Sequence, residues 1–298
     1  MYEIVAFHVS EQRLPIIAGL GLPTFLLLNN AFNCTLSARM GARAFLRTKV
    51  SRLLVPWLLW SVIYLALQLL ERYRHEEPLT EGFTAWMLIG GTYTHLWFVP
   101  FSLVGSLLIA GVQSRTPGLS QGWTGTAALL LGGALTIVNA ELLAPGTIDW
   151  PLLQWLFALP AVPLGFGLGR MLLAADAGVR RRLAWITGSL ALACVGVGLA
   201  LGMAGTSGWP APEEMVRRYA VSLALISVGL VWHGVSDRFS QRLAPLLFGV
   251  YLSHPLILRV YQATHLPLLP TALFAALVFA VSAVLVLVLQ RTPLRILV

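Results

Sequence analysis

Apolar stretches of similar length alternate along this chain with short polar connections, and within each stretch the apolar residues cover every face. A bilayer core needs about 20 mostly apolar residues per spanning helix. Barrel strands instead alternate over about ten residues, whereas runs such as 129–135 and 272–289 are continuously apolar. The pattern therefore predicts helices, over 1–12, 14–33, 53–70, 95–112, 123–143, 152–173, 184–204, 217–235, 244–262 and 268–290. The expected fold is an all-α, polytopic transmembrane helical bundle of about ten spans. With no visible repeat at a period of about 20 to 50 residues and no long linker, the whole of 1–298 reads as a single integral membrane domain.

Composition sharpens this reading. Hydrophobic residues make up 57% of the chain and charged ones 11%, with a mean hydropathy of +0.79, which excludes an ordinary soluble domain. The net charge of +8 raises a nucleic-acid reading, but the cations sit in short connections between apolar runs, where membrane topology accounts for them. No nucleic-acid partner is expected.

Short cytoplasmic loops carry an excess of Lys and Arg, and alternate connections here divide fourteen to six. The rich set includes Arg39, Arg43, Arg47, Lys49, Arg52, Arg115, Arg170 and the pair Arg291 and Arg295 near the C-terminus. The expectation is a multi-pass protein of the cell (inner or plasma) membrane with that set, and the C-terminus, in the cytoplasm. Segment 71–94 is the longest connection. Its apolar piece, 83–90, is too short to span, so it is expected to lie in the outer interface or to re-enter.

The first span is the anomaly, because twelve residues precede Arg13 where about 20 are needed to cross. The expectation is that the native chain begins upstream of Met1. Residues 1–10 show neither the basic leader nor the small-residue cleavage site of a signal peptide. Cys34 and Cys194 offer neither a disulfide framework nor a metal spacing, and no metal is expected.

Candidate chemistry lies in a few polar positions. His8 stands in an apolar stretch, where an ionisable group is costly and a functional candidate; a headgroup-level helix cap remains the alternative. Arg47, Lys49 and Arg52 run directly into the third span. Guanidinium forks match phosphate oxygens, though cations there also serve topology and anionic lipids. His95, with Trp97 beside it, opens the fourth span. In the ninth, Pro255 lacks an amide hydrogen and frees the Tyr251 carbonyl, which Ser253 or His254 can satisfy. Asn29 and Asn30 are amides within the second span and require partners. No serine elbow, phosphate loop, zinc helix or dinucleotide fingerprint is present.

Five segments occur in a telling order: Phe7-His8, Gly21-Leu22-Pro23-Thr24-Phe25, the basic run 45–57 with Leu53-Leu54-Val55-Pro56, His95-Leu96-Trp97-Phe98, and 249–255 with its Ser253-His254-Pro255. In that order they resemble the membrane acyltransferase family 3 over nearly the whole chain. Two departures stand out. The family often has an Arg about ten residues before its first-span His, a position that would precede Met1, and Ser-Gly where Asn29-Asn30 stand here.

The resemblance implies O-acyl transfer, most often of acetyl, from acetyl-CoA or another acyl-CoA to a hydroxyl of a cell-surface or exported polysaccharide. It further implies that His8 is the catalytic histidine, that Arg47, Lys49 and Arg52 hold the donor, and that His95, Trp97, Tyr251, Ser253, His254, Asn29 and Asn30 support the pocket. The competing classes are a transporter or flippase of a glycan or lipid-linked intermediate, which inverted repeats would favour, and a non-catalytic scaffold, which needs no intramembrane histidine.

Overall fold

The computed structural model describes residue 5 and residues 19–116, 121–143, 148–173, 178, 181, 185, 187–189, 212–231, 244–264 and 270–298. Among these residues the elements are all helical: α1 (Gly21–Met40), α2 (Ala42–Lys49), α3 (Val55–Arg74), α4 (Met87–Gly90), α5 (Phe98–Arg115), α6 (Gln121–Leu143), α7 (Leu152–Ala158), α8 (Ala161–Leu173), α9 (Pro212–Val231), α10 (Leu247–Ala263) and α11 (Thr271–Gln290). Among the described residues, five stretches are long and apolar enough to cross a membrane, namely Ala42–Arg74, Phe98–Arg115, Gly122–Leu143, Leu152–Leu173 and Ala272–Gln290. The helices α1, α9 and α10 overlap three further expected spans. The expected spans 1–12 and 184–204 fall mostly outside the described residues.

Two helices differ from the expected pattern for identifiable reasons. The span over 152–173 is broken between α7 and α8, because Pro160 has no amide hydrogen to offer the Leu156 carbonyl one turn back. Asn139 of α6 takes over, its Nδ2 donating to Leu156 O at 2.7 Å. The helices α2 and α3 form one 33-residue stretch interrupted by a single wide π turn, Val50–Leu54. Such turns insert a residue into the helical ladder and shift every later side chain around the axis.

Close packing is set by glycines in α8. A Cβ at Gly165 would lie 2.7 Å from Leu27 O, and one at Gly169 would lie 2.7 Å from Ala31 O, so α1 lies directly on this face. Gly167 points the other way, where a Cβ would meet Gly125 O of α6 at 2.8 Å. Small residues four apart let helix backbones touch without a hydrophobic driving force in lipid. Contacts step forward together along α1 and α8, which makes that pair parallel.

Polar side chains knit the remaining helices. Thr24 Oγ1 donates to Ser222 Oγ of α9 at 3.0 Å, and Tyr219 Oη to Phe157 O of α7 at 2.8 Å. The 3₁₀ turn Pro293–Leu297 tucks its last carbonyl against α3, where Trp60 Nε1 donates to it at 2.8 Å. Val5 is buried in a small cluster with Phe274, Ala275 and Val278 of α11.

Candidate functional site

The strongest convergence of chemistry-bearing side chains forms where α3, the loop before α5 and α10 meet. Trp57, Trp60 and Tyr64 recur on α3 at spacings of three and four, so they share one face, and all three are buried. The loop is pinned to that helix, with Thr92 Oγ1 donating to Ser61 O and Gln68 Nε2 donating to Thr92 O, each at 2.6 Å. Gly91 makes the bend at φ +81°, and a Cβ there would meet Leu96 Cβ at 2.6 Å. These constraints deliver His95 to the interior.

The His95 ring is surrounded edge to face. Its centroid lies 5.3 Å from that of Tyr64, 5.4 Å from Tyr93, 5.4 Å from Tyr251 and 5.5 Å from His254. The Tyr251 hydroxyl donates to the His95 carbonyl, and the Tyr64 hydroxyl donates to Leu252 O at 2.7 Å. Phe98 closes the group at 5.4 Å from Tyr251. Toward the surface, the Arg259 guanidinium lies 4.9 Å from the Tyr93 centroid, and its Nη1 is 3.3 Å from Glu71 Oε2.

His254 settles the question raised by Pro255. Its Nδ1 lies 2.8 Å from Tyr251 O and 3.2 Å from Val250 O. A carbonyl only accepts, so Nδ1 must carry the hydrogen. The carbonyl that proline leaves without a helical donor is thus satisfied by the imidazole one residue before it. Ser253 is wholly buried, and its Oγ has no hydrogen-bond partner among the described residues. Trp57 Nε1 is in the same position near the Gly91 bend.

A second polar seam joins the parallel helices α1 and α5. Asn29 Nδ2 donates to Ser102 Oγ and Asn33 Nδ2 to Ser106 Oγ, both at 2.9 Å. Asn30 Nδ2 turns back to Leu26 O at 3.0 Å, while its buried Oδ1 is without a partner among the described residues. The amide of Asn29 therefore finds its partner on α5, whereas that of Asn30 finds one in its own helix. Trp97 packs on Phe98 and Phe101, with centroids 6.1 and 6.0 Å away.

The three proposed donor cations lie elsewhere. Arg47 and Arg52 are exposed on α2 and the wide turn, and Lys49 is half-buried, with Nζ 5.5 Å from the Phe45 centroid. Arg52 lies within the wide turn itself. His8 lies outside the described residues.

Several residues of these sites escaped the sequence reading. Neither Tyr64 nor Tyr93 is among the candidates read from the sequence, although the spacing of Trp57, Trp60 and Tyr64 marks a face. The serines at 102 and 106 share the four-residue step of Asn29 and Asn33, a signal that needs both helices to be noticed. Arg170, counted among loop cations, is fully buried, with Nε donating to Thr124 Oγ1 at 2.8 Å and Nη1 to Gln113 Oε1 at 3.2 Å. Glu214, in the first turn of α9, shows the reverse balance of burial and charge. Burial alone would raise its carboxyl, but the Arg217 and Arg218 guanidiniums hold it below the usual range.

Among the described residues, no group of three or more His, Cys, Asp or Glu is placed to hold a metal ion. No curated relative and no solved structure matches the chain. A family model described as an acyltransferase domain matches residues 2–291, nearly the whole chain and with it every site residue named above. Its residues and its helical, membrane-suited architecture agree on one assignment: the chain belongs to acyltransferase family 3.

Proposed function

We propose that this protein is an integral membrane O-acyltransferase that moves an acyl group, in the first instance acetyl, from acyl-CoA to a hydroxyl of a cell-surface or exported polysaccharide. The observation that carries this reading is the family match across residues 2–291. In the proposed arrangement about ten spans cross the cell inner membrane, and the cation-rich ends and the C-terminus face the cytoplasm, where the donor is available.

Arg47, Lys49 and Arg52 then meet the phosphates of CoA through charge-assisted hydrogen bonds. The exposure of Arg47 and Arg52 leaves their donors available for this. His8 is the general base: it takes the proton of the acceptor hydroxyl as that oxygen bonds to the acyl carbon. The carbon–sulfur bond breaks, and its electron pair leaves on the sulfur, which departs as CoA thiol after protonation. His95, Trp97, Tyr251, Ser253, His254, Asn29 and Asn30 support the pocket in this proposal, Asn29 through its bond to Ser102 of α5.

The test is mass spectrometry of the envelope glycans from cells with and without the gene. Loss of one acyl mass per modified sugar is expected. Glycans that keep their acyl groups but change in amount or location would overturn transfer in favour of transport.

A further inference from the structure

One stripe of α3 holds the loop that carries His95. Trp57, Ser61, Tyr64, Gln68 and Glu71 follow at steps of four, three, four and three, which keeps them on one face of a helix. Each meets the loop or the helix beyond it. A Cβ at Gly91 would lie 3.1 Å from Trp57 Nε1, and Thr92 bonds both to Ser61 O and to the Gln68 amide. Tyr64 stacks on Tyr93, with centroids 4.7 Å apart and planes at 21°. Glu71, the last of the five, reaches Arg259 of α10.

Arg259 holds the loop from the other helix. Its guanidinium lies 4.9 Å from the Tyr93 centroid, and Nη1 stands 3.3 Å from Glu71 Oε2. Tyr93 is thus gripped by a ring of α3 and a cation of α10, and a planar guanidinium suits an aromatic face. The His95 ring stands edge-on to both Tyr64 and Tyr93, at 5.3 and 5.4 Å, so its place depends on where Tyr93 is held. With Glu71 59% exposed, the ion pair itself adds little stability. Its effect is local, because it aims the guanidinium.

We propose that Arg259 is a positioning residue for His95: Glu71 aims the guanidinium at Tyr93, and Tyr93 keeps the His95 ring in its aromatic cage. Arg259 itself touches no reacting group. Its importance for activity rests on the acyl-transfer reading given above, in which His95 supports the pocket.

The experiment has two arms. The first follows amide hydrogen exchange in the purified full-length protein in nanodiscs. Arg259→Gln should raise exchange in the 91–97 loop roughly five- to tenfold, which corresponds to about 1.0 to 1.4 kcal/mol of local opening, while α1 and α8 exchange as in wild type. Arg259→Lys should fall between the two, since an ammonium is still drawn to the ring but cannot stack on it. Unchanged exchange in Arg259→Gln, or a rise that extends equally to α1 and α8, would overturn the proposal. So would a lysine variant no better than glutamine.

The second arm measures glycan acylation in cells at matched membrane levels. Arg259→Gln should lower it roughly three- to tenfold through misplacement of the cage. In a protein that already carries Tyr93→Leu, the same substitution should change acylation by less than about twofold, because the contact it removes is gone. Full additivity of the two losses would show that Arg259 does not act through Tyr93. A larger loss with Glu71→Gln than with Arg259→Gln would assign the effect to the carboxylate instead, and would equally overturn the proposal. A wild-type protein that acylates nothing would sink the acyl-transfer reading, and the exchange arm would still decide whether Arg259 holds the loop.

Discussion

The histidine cluster and the basic edge differ in what holds their side chains. At the cluster, every ring is fixed from several directions: His95 by four neighbouring rings and a pinned loop, His254 by a carbonyl, Tyr64 and Tyr251 by hydroxyl bonds to backbone. At the edge, Arg47 and Arg52 are exposed. Side chains fixed before a ligand arrives suit orientation of a reacting group, since ordering costs are already met. Exposed cations suit capture of a charged donor, since their work is electrostatic and tolerates imprecise placement. On the proposed reading, the two regions would serve the two halves of an acyl transfer.

The largest expected effect belongs to the proposed general base. His8→Ala should lower glycan acylation by about 10²- to 10⁴-fold, the usual range for a general base, while the protein still inserts at normal levels. Acylation within twofold of wild type would remove His8 from the mechanism. Next in size is a test of the interior's rigidity. Gly169→Leu forces a side chain where even a Cβ would meet Ala31 O at 2.7 Å. It should cost more than about 3 kcal/mol, beyond ordinary overpacking because backbone is in the way. The check is recovery of monodisperse protein and its thermal midpoint in detergent; a normal midpoint would show that α1 and α8 separate easily.

The same contrast explains what the sequence made legible. Helical class came from the continuous apolar runs, and these located most helices to within several residues. The role of Pro255 was also readable, because a missing amide hydrogen is a local fact, and His254 was named as one group able to answer it. The break at Pro160 follows the same logic, yet its remedy, Asn139, lies on another helix and was invisible. Arg170 was misplaced because loop counting assigns every cation near a span end to solvent, whereas this one turns inward to Thr124 and Gln113. The wide turn at Val50–Leu54 left no signal, since its residues are ordinary helix formers. The aromatic cage around His95 depends on three separate segments meeting, which periodicity along one segment cannot report.

Of intermediate size is the test of the basic edge. Arg47→Ala combined with Arg52→Ala should weaken acyl-CoA binding by about 10- to 100-fold, the loss expected for two charge-assisted hydrogen bonds. The affinity of wild type should also fall as salt is raised, as it does for exposed charges. Isothermal titration of the protein in nanodiscs reads both. Unchanged affinity in the double variant would mean that these cations serve topology alone, and an inverted loop orientation in protease-protection assays would then be expected.

The smallest effect belongs to the seam between α1 and α5, and it shows whether polar contacts in this interior are fixed for function or for strength. Interhelical hydrogen bonds in membranes average only about 0.6 kcal/mol, because the alternative state also finds partners. Ser106→Ala removes the acceptor of Asn33 Nδ2 at 2.9 Å and leaves the amide buried. A loss of about 1 kcal/mol is expected, slightly above that average because the stranded amide must stay desolvated. Ser102→Ala should cost less, since Asn29 is only partly buried and can turn to another partner. Steric-trap or denaturant unfolding in bicelles resolves such differences. Equal losses in the two variants would show that burial of the amide is not what sets the cost, and the seam would then be a contact of uniform strength along its length.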